Sequence, residues 1–287
     1  MRRIITAIMS LGLAMVMIFT VVGCGPQGKA VTVGGKNFTE QYIISEMMAQ
    51  LLEYHGFKVT LISDLSSEGL RGGMESGEIG ICADYTGTAW MSYLQHTYEP
   101  GIDNNQLYQM VKEEEAGNGL IWLDPMWNDN TYALASWPEF ATENNITTMS
   151  DLAALYREKE GKIPTFIGIE FSARPDGLSA LKQHYNFTID EDYLNAALVG
   201  TSLAALEQHQ ADIAMVFGTD APIAKYGWHV YTDDQVFFPP YDLTPYVNQD
   251  VLTKYPEIES ILNELVATFP GGGEEATPEI VAECQGV

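Results

Sequence analysis

Apolar residues recur along this chain with two alternating periods, a two-residue period typical of strands and a 3.6-residue period typical of helices. Residues 30–33 form the first strand-like run, after which Asn37 and Glu40 stand three residues apart, as in a helix N-cap pair. The helix predicted next carries its apolar residues at helical spacing: Ile43, Ile44, Met47, Met48, Leu51 and Leu52. After Gly56 the pattern returns to a strand at 57–62, so the chain begins as an α/β unit.

The same alternation continues along the chain and predicts an α/β fold throughout. Further strands are expected at 79–83, 120–123, 131–136, 165–169, 197–199, 212–217 and 246–248. Further helices are expected at 104–116, 150–160, 178–185, 202–209 and 256–268. Residues 237–242 contain two prolines and cannot form a central strand, so we expect them to cross between two parts of the fold. Residues 75–88 and 208–219 share one pattern of helix end, apolar strand, aromatic residue and Gly/Thr turn, which favours two lobes.

The N-terminus has the pattern of a secretory signal, with positive residues before an apolar run. Two arginines precede an uncharged stretch at 4–22, and Cys24 then stands where a bacterial lipoprotein signal places its acylated cysteine. We therefore predict a signal peptide at 1–23, a lipid anchor on Cys24 and a tether at 24–30. An uncleaved membrane anchor and an ordinary cleaved signal are the alternatives. All three place the rest of the chain outside the cytoplasm, on the outer face of the cell membrane when Cys24 is lipidated.

The chain is strongly acidic, with 39 Asp and Glu against 14 Lys and Arg and a formal net charge of -25. Such a charge argues against nucleic acid as a partner and against a polybasic membrane contact. We expect a solvated acidic surface, with adaptation to a saline habitat as an alternative. Beyond Cys24, Cys82 and Cys284 either form one disulfide or remain unpaired, and the sequence leaves this open.

No constellation of residues typical of an active site is visible in the sequence. The five histidines are scattered, and no His-Glu-x-x-His, Cys-x-x-Cys, Gly-x-Ser-x-Gly or phosphate-loop motif occurs. We therefore expect no catalytic residue, no metal and no cofactor. A secreted enzyme built from scattered carboxylates stays as a minor alternative.

Aromatic residues instead fall at the ends of predicted strands or in the loops beside them: Tyr85, Tyr132, Phe217 and Tyr241. Each one alone fits an ordinary half-buried aromatic residue, but ligands of open α/β sheets bind at these strand ends. A trimethylammonium group has no N–H to donate, so aromatic faces bind it by cation–π attraction. Four such faces together indicate a quaternary-ammonium ligand.

Three further residues in the predicted loops carry groups that bind a carboxylate: Lys36, Thr88 and Arg174. Lys36 alone fits a solvated surface charge, and Arg174 alone fits an ion pair with a nearby carboxylate. Together with the aromatic residues they describe a site for a zwitterion such as a betaine.

Five segments, in order between about residues 31 and 265, resemble the glycine betaine/choline/carnitine-binding proteins of osmoprotectant ABC transporters. They are VGGKNFTEQ at 33–41, DYTGTA at 84–89, NTYAL at 130–134, EFSARPDG at 170–177 and FFPPYD at 237–242. The resemblance implies a type II periplasmic-binding-protein fold, in which two α/β lobes are joined by two crossing strands around a ligand cleft. Lobe I would comprise residues 31–133 and 238–287, and lobe II residues 134–237.

Single positions also carry over from this resemblance. Three match cage tyrosines, namely Tyr85, Tyr132 and Tyr241, and three match carboxylate contacts, namely Lys36, Thr88 and Arg174. Phe217 departs from the tyrosine often found at its position in the family. Phenylalanine keeps the π face and loses the hydroxyl, so the cage should survive with altered selectivity.

The resemblance implies the substrate-binding component of an ABC importer. Such a monomer captures glycine betaine or a related quaternary-ammonium osmoprotectant and delivers it to a membrane permease with its ATPase. Preference for choline, carnitine or proline betaine stays open, as does a sensor lobe of the same fold that serves no transport.

Overall fold

The computed structural model describes residues 28–277 and 279–280 of the chain. The predicted signal peptide, Cys24 and Cys284 lie outside these residues, so the lipid anchor and any disulfide stay predictions. Cys82 is buried in a strand. Within the described part, no helix combines the length and the apolarity that crossing a bilayer requires.

Strands and helices alternate along the described chain. The strands are β1 Ala30–Lys36, β2 Lys58–Leu65, β3 Ile81–Tyr85, β4 Leu120–Trp122, β5 Tyr132–Ser136, β6 Thr165–Gly168, β7 Leu194–Ala197, β8 Ile213–Phe217, β9 His229–Val230 and β10 Leu243–Asn248. The α-helices are α1 Thr39–Tyr54, α2 Ser67–Ser76, α3 Asn104–Gly117, α4 Pro138–Asn144, α5 Met149–Glu158, α6 Ile169–Ala173, α7 Leu178–His184, α8 Val199–Glu207, α9 Ala221–Tyr226, α10 Gln249–Lys254 and α11 Glu257–Val266. A short turn of helix at Thr86–Thr88 continues into a π-helix at Ala89–Tyr93, and Glu191–Tyr193 forms a 3₁₀ turn.

The strands form two five-stranded sheets, one in each lobe, with the orders β2-β1-β3-β10-β4 and β7-β6-β8-β5-β9. In each sheet three neighbouring strands run parallel, while β10 or β5 runs antiparallel beside them. The predicted fold of two α/β lobes is therefore confirmed.

The antiparallel strands determine which residues meet at the edge of each sheet where the parallel strands end. A strand that runs antiparallel to its neighbours begins where those neighbours end. Tyr132 at the start of β5 therefore stands opposite Phe217 at the end of β8. Leu243 at the start of β10 stands opposite Tyr85 at the end of β3 in the same way.

The chain passes between the sheets twice, within residues 123–131 and 231–242. These segments meet at one antiparallel bridge between Asp129 and Asp242. The lobe boundaries at 133/134 and 237/238 stay predictions.

Helix α1 illustrates how the pattern of apolar residues builds the core. Ile44, Met48 and Leu52 are four residues apart, lie on one face and are buried against the first sheet. Gly56 at φ +87° then reverses the chain in a conformation that favours glycine. In lobe II, Leu152 on α5 is buried in the corresponding way.

Several predicted elements were wrong in position. The strand expected at 197–199 is β7 at Leu194–Ala197, and Val199 already begins α8. Strand β10 begins at Leu243 and not at 246. It can include Pro245, opposite Ala83, because the only backbone hydrogen bond required of Pro245 is made by its carbonyl, which accepts the N–H of Leu123.

Short helices without a strong apolar period were not predicted, namely α4, α6, α9 and α10. The expected Asn37–Glu40 cap does not form, since Phe38 occupies the N-cap of α1 without a side-chain hydrogen bond.

Candidate functional site

A cleft lies between the lobes, at the edges of both sheets where the parallel strands end. It encloses about 530 Å³ of space, including the part open to solvent. Six of the seven predicted ligand-binding residues line it, namely Lys36, Tyr85, Thr88, Tyr132, Phe217 and Tyr241. The seventh, Arg174, lies behind the ring of Tyr132 and does not line the cleft.

Tyr132 is the centre of a cluster of aromatic rings in the cleft. Its ring centre lies 5.0 Å from that of Phe217 and 5.3 Å from that of Tyr241, which it meets edge to face. These rings come from β5, β8 and the second crossing segment. Antiparallel pairing and the crossing therefore bring together residues that are up to 109 positions apart in the sequence.

Two aromatic residues that the sequence analysis missed complete the cluster. Phe38 of lobe I lies 4.8 Å from Phe217, and Phe171 lies 4.8 Å from Tyr132, both measured between ring centres. Both line the cleft. Each follows the end of a strand within a segment that carries the family resemblance, and that position was the signal that could have identified them.

Tyr85 is fixed by the hydrogen bonds of its hydroxyl group. The hydroxyl donates to Glu40 at 2.7 Å and accepts from Gln41 at 3.1 Å and from Asn130 at 3.3 Å. Burial raises the pKa of Glu40 above its ordinary value, and burial together with Glu40 raises the pKa of the Tyr85 phenol. Glu40 thus holds a ring of the cleft instead of capping α1.

Tyr241 is placed by close contact between the second crossing segment and the turn after β3. The Thr86 hydroxyl donates to the carbonyl of Pro240 at 3.0 Å and accepts from the N–H of Asp242 at 3.1 Å. A Cβ on Gly87 would lie 2.8 Å from the Pro240 carbonyl oxygen and 2.9 Å from the Tyr241 ring. Only glycine allows this approach.

Lys36 lies at the end of β1 and forms a buried ion pair with Asp84. The Nζ–Oδ1 distance is 2.5 Å, and the two side chains are 4% and 0% exposed. Asp84 also accepts from the Tyr93 hydroxyl at 2.7 Å and from the backbone N–H of Tyr85 at 2.8 Å. Lys36 is therefore not the solvated surface charge that was one alternative, and its charge is balanced inside lobe I.

Arg174 is also held by a carboxylate of its own lobe. Its Nε donates to Asp176 Oδ1 at 2.9 Å, and its Nη2 pairs with the other oxygen of the same carboxylate. Its Nη1 lies 3.4 Å from the Tyr132 hydroxyl oxygen. The ion pair with a nearby carboxylate, one of the two alternatives for this residue, is thus observed.

Polar contacts also join the two lobes across the cleft. The Ser67 hydroxyl of lobe I donates to Glu170 of lobe II at 2.5 Å, and the Thr219 hydroxyl of lobe II donates to Asn130 in the first crossing segment at 2.8 Å. Ser67, Glu170 and Asn130 line the cleft, but the sequence analysis did not select them. Among residues 28–277, no group of three or more His, Cys, Asp or Glu is placed to hold a metal ion.

Comparison with known proteins gives a consistent set of relatives. Residues 29–271 match the model of a family described as the substrate-binding domain of ABC-type glycine betaine transport systems. The glycine-betaine-binding protein of Pseudomonas aeruginosa is 32% identical over 245 residues, which cover 84% of this chain and 78% of the relative. The glycine betaine-binding protein YehZ of Escherichia coli is 30% identical over 246 residues, with coverages of 83% and 80%. A crystal structure described as a glycine betaine/carnitine/choline ABC transporter has a TM-score of 0.63 and 26% identity, with coverages of 89% and 92%.

Proposed function

The chain belongs to the family of substrate-binding domains of ABC-type glycine betaine transport systems, and we propose that it captures a small quaternary-ammonium osmoprotectant in the cleft described above. The predicted family is thereby confirmed, and it is a family of transport proteins. Glycine betaine, the ligand in the names of the two relatives, is the ligand we propose.

The observation that carries this proposal is the convergence of aromatic rings around Tyr132. Rings from both lobes and from a crossing segment face one cleft, so they could surround a trimethylammonium group. Each desolvated aromatic face contributes roughly 0.5–2 kcal/mol to binding such a cation. Water binds the methyl groups poorly, so their burial adds to the affinity.

The carboxylate of a betaine is proposed to contact Lys36 and Thr88, which line the cleft. An ammonium group has three N–H donors, and Asp84 accepts one of those of Lys36. The Thr88 hydroxyl offers a further donor. Arg174 stays in the proposed site, where it holds the ring of Tyr132.

The proposed mechanism is capture without chemical change. The ligand enters while the lobes are apart, its methyl groups displace water from the aromatic rings, and hinge motion in the crossing segments closes the cleft. The closed form then delivers the ligand to a membrane permease and its ATPase. We further propose that the protein is monomeric and acts outside the cytoplasm, anchored through lipid on Cys24.

Calorimetric titration with glycine betaine, carnitine and choline tests the proposal, with glycine as the matched control. Glycine has the same carboxylate as glycine betaine but an ammonium group with N–H donors, so the aromatic cage should bind it at least tenfold more weakly. Failure of all three quaternary-ammonium compounds to bind, or equal affinity for glycine, would contradict the proposed function.

A further inference from the structure

We propose that Glu170 tunes the selectivity of the cleft, raising its affinity for a quaternary-ammonium cation relative to its affinity for a zwitterion such as glycine betaine. The inference rests on the proposed function and identifies a residue that sets the selectivity between choline and glycine betaine at the same site.

Glu170 places a carboxylate at the junction of the lobes. It lies on α6 of lobe II, lines the cleft and is 28% exposed. Its oxygens accept the hydroxyl of Ser67 at 2.5 Å and the backbone N–H of Ser67 at 3.4 Å. Ser67 is the first residue of α2 in lobe I, so the carboxylate reaches across the cleft to the other lobe.

The positive charges beside the cleft are already matched by other carboxylates. Lys36 pairs with Asp84 at 2.5 Å, and Arg174 pairs with Asp176 through both oxygens of the carboxylate. Glu170 lies farther from Arg174 than Asp176 does, since its nearest oxygen is 3.9 Å from Arg174 Nη1.

These groups leave an excess of one negative charge. The two cations and the three carboxylates named above leave one carboxylate in excess, and Glu170 supplies it; of these five side chains, Lys36 and Glu170 line the cleft. Glu40 lies behind Tyr85 and is hydrogen-bonded to its hydroxyl, and counting it would only increase the negative excess.

An unmatched carboxylate acts differently on the two kinds of ligand. It attracts the ammonium group of choline, and no other charge on choline opposes this attraction. It attracts the ammonium group of glycine betaine and repels its carboxylate, so the two effects largely cancel. Because water is largely excluded from a closed cleft, the difference between the interaction energies of the carboxylate with the two ligands is larger there than it would be in bulk solvent.

A purely structural role for Glu170 predicts another result. If the hydrogen bond between Glu170 and Ser67 only holds the lobes together, its loss lowers the affinity for every ligand by the same factor. The ratio of two affinities therefore separates the two roles.

The experiment titrates choline and glycine betaine into the unaltered protein and into Glu170→Gln, Ser67→Ala and Glu139→Gln. Glutamine keeps the shape of Glu170 and an acceptor for Ser67 but removes the charge. Ser67→Ala removes the bond between the lobes at constant charge, and Glu139→Gln removes the same charge from the exposed surface.

In Glu170→Gln we expect the ratio of the choline Kd to the glycine betaine Kd to rise about tenfold. In Ser67→Ala and Glu139→Gln the ratio should stay within about twofold of that of the unaltered protein. An unchanged ratio in Glu170→Gln, or an equal rise in Glu139→Gln, would overturn this inference and leave the proposed function intact. If the unaltered protein bound neither compound, this inference would be overturned, and the proposed function would be overturned as well if carnitine also failed to bind.

Discussion

The guanidinium carbon of Arg174 lies 5.6 Å from the centre of the Tyr132 ring, so a cation of the protein itself stacks on the central aromatic residue of the cleft. This contact orders the ring, because Arg174 is in turn fixed by Asp176. A ligand can therefore meet a ring that is already oriented, which lowers the entropic cost of binding.

Replacing Tyr132 by alanine should weaken glycine betaine binding by at least tenfold. Replacing it by phenylalanine should weaken glycine betaine binding by less than about threefold. Alanine removes the π face, while phenylalanine loses only a hydroxyl whose contact with Arg174 Nη1 is 3.4 Å long. Calorimetry gives the affinities, and thermal unfolding shows whether each variant is folded. Equal losses in the two variants would mean that the hydroxyl, and not the ring, carries the binding.

Two variants of Phe217 distinguish the contribution of cation–π attraction to ligand binding from that of apolar burial. Phe217→Leu keeps an apolar side chain against Phe38 but removes the ring, and we expect about tenfold weaker binding of glycine betaine. Phe217→Tyr, which restores the residue often found in the family, should bind within about threefold of the unaltered protein. If the leucine variant binds as tightly as the tyrosine variant, burial alone accounts for this side of the cage.

Asp84→Asn tests the buried ion pair with Lys36. The substitution leaves an unmatched ammonium group in the interior, so the free energy of unfolding should fall by about 3–5 kcal/mol. The same ammonium group becomes available to the ligand, so glycine betaine should bind more tightly relative to choline. Urea unfolding and calorimetry measure the two effects.

The double variant Lys36→Met/Asp84→Asn is the control for this ion pair. It removes both charges, so it should recover part of the lost stability and should not show the shift towards glycine betaine. A shift that persists without Lys36 would show that the lysine does not contact the ligand carboxylate.

Gly87→Ala should disturb the site through backbone packing. The added Cβ would stand 2.8 Å from the carbonyl oxygen of Pro240, so the crossing segment that carries Tyr241 must move. We expect a loss of about 1–3 kcal/mol in the free energy of unfolding, together with weaker ligand binding. Gly72→Ala in α2 is the matched control, because nothing lies within 4 Å of its added Cβ and binding should not change. Equal effects of the two substitutions would contradict the packing argument.

Most aromatic residues of the proposed cage could be selected from the sequence because they stand at strand ends, which follow from local apolar patterns, whereas Tyr241 lies in the second crossing segment. The ring of Tyr132 could be assigned to the site from sequence for that reason, as could Phe217. Phe38 and Phe171 occupy similar positions, and distinguishing such residues from core aromatics requires the geometry of the closed cleft.

Contacts between distant residues could not be predicted in this way. Ser67 and Glu170 are 103 residues apart and meet only because the lobes close, and Lys36 meets Asp84 only because β1 and β3 are neighbours in the sheet. A single sequence shows that Lys36 and Arg174 are scarce cations near the site. It does not show which carboxylates neutralise them, so the charge balance of the cleft could not be predicted.

Asp220 makes the stability of the folded protein fall as the pH rises. Its Oδ2 accepts the backbone N–H of Phe217 at 2.8 Å, and burial, with Glu40 nearby, raises the pKa of its carboxyl to about 6. Between about pH 4 and pH 6 the folded protein holds a proton that the unfolded chain has released, so stability falls as pH rises through this window. A shift of about two pH units corresponds to at most about 3 kcal/mol.

Asp220→Asn should remove this dependence, because asparagine keeps an acceptor for the Phe217 N–H and does not titrate. In urea unfolding between pH 4 and pH 7.5, the stability of the variant relative to the unaltered protein should increase with pH and level off above about pH 6.5. The exposed control Glu139→Gln should show no such rise over this range. A difference between Asp220→Asn and the unaltered protein that stays constant with pH would mean that Asp220 is ionised throughout, and that burial at the end of β8 does not hold its proton.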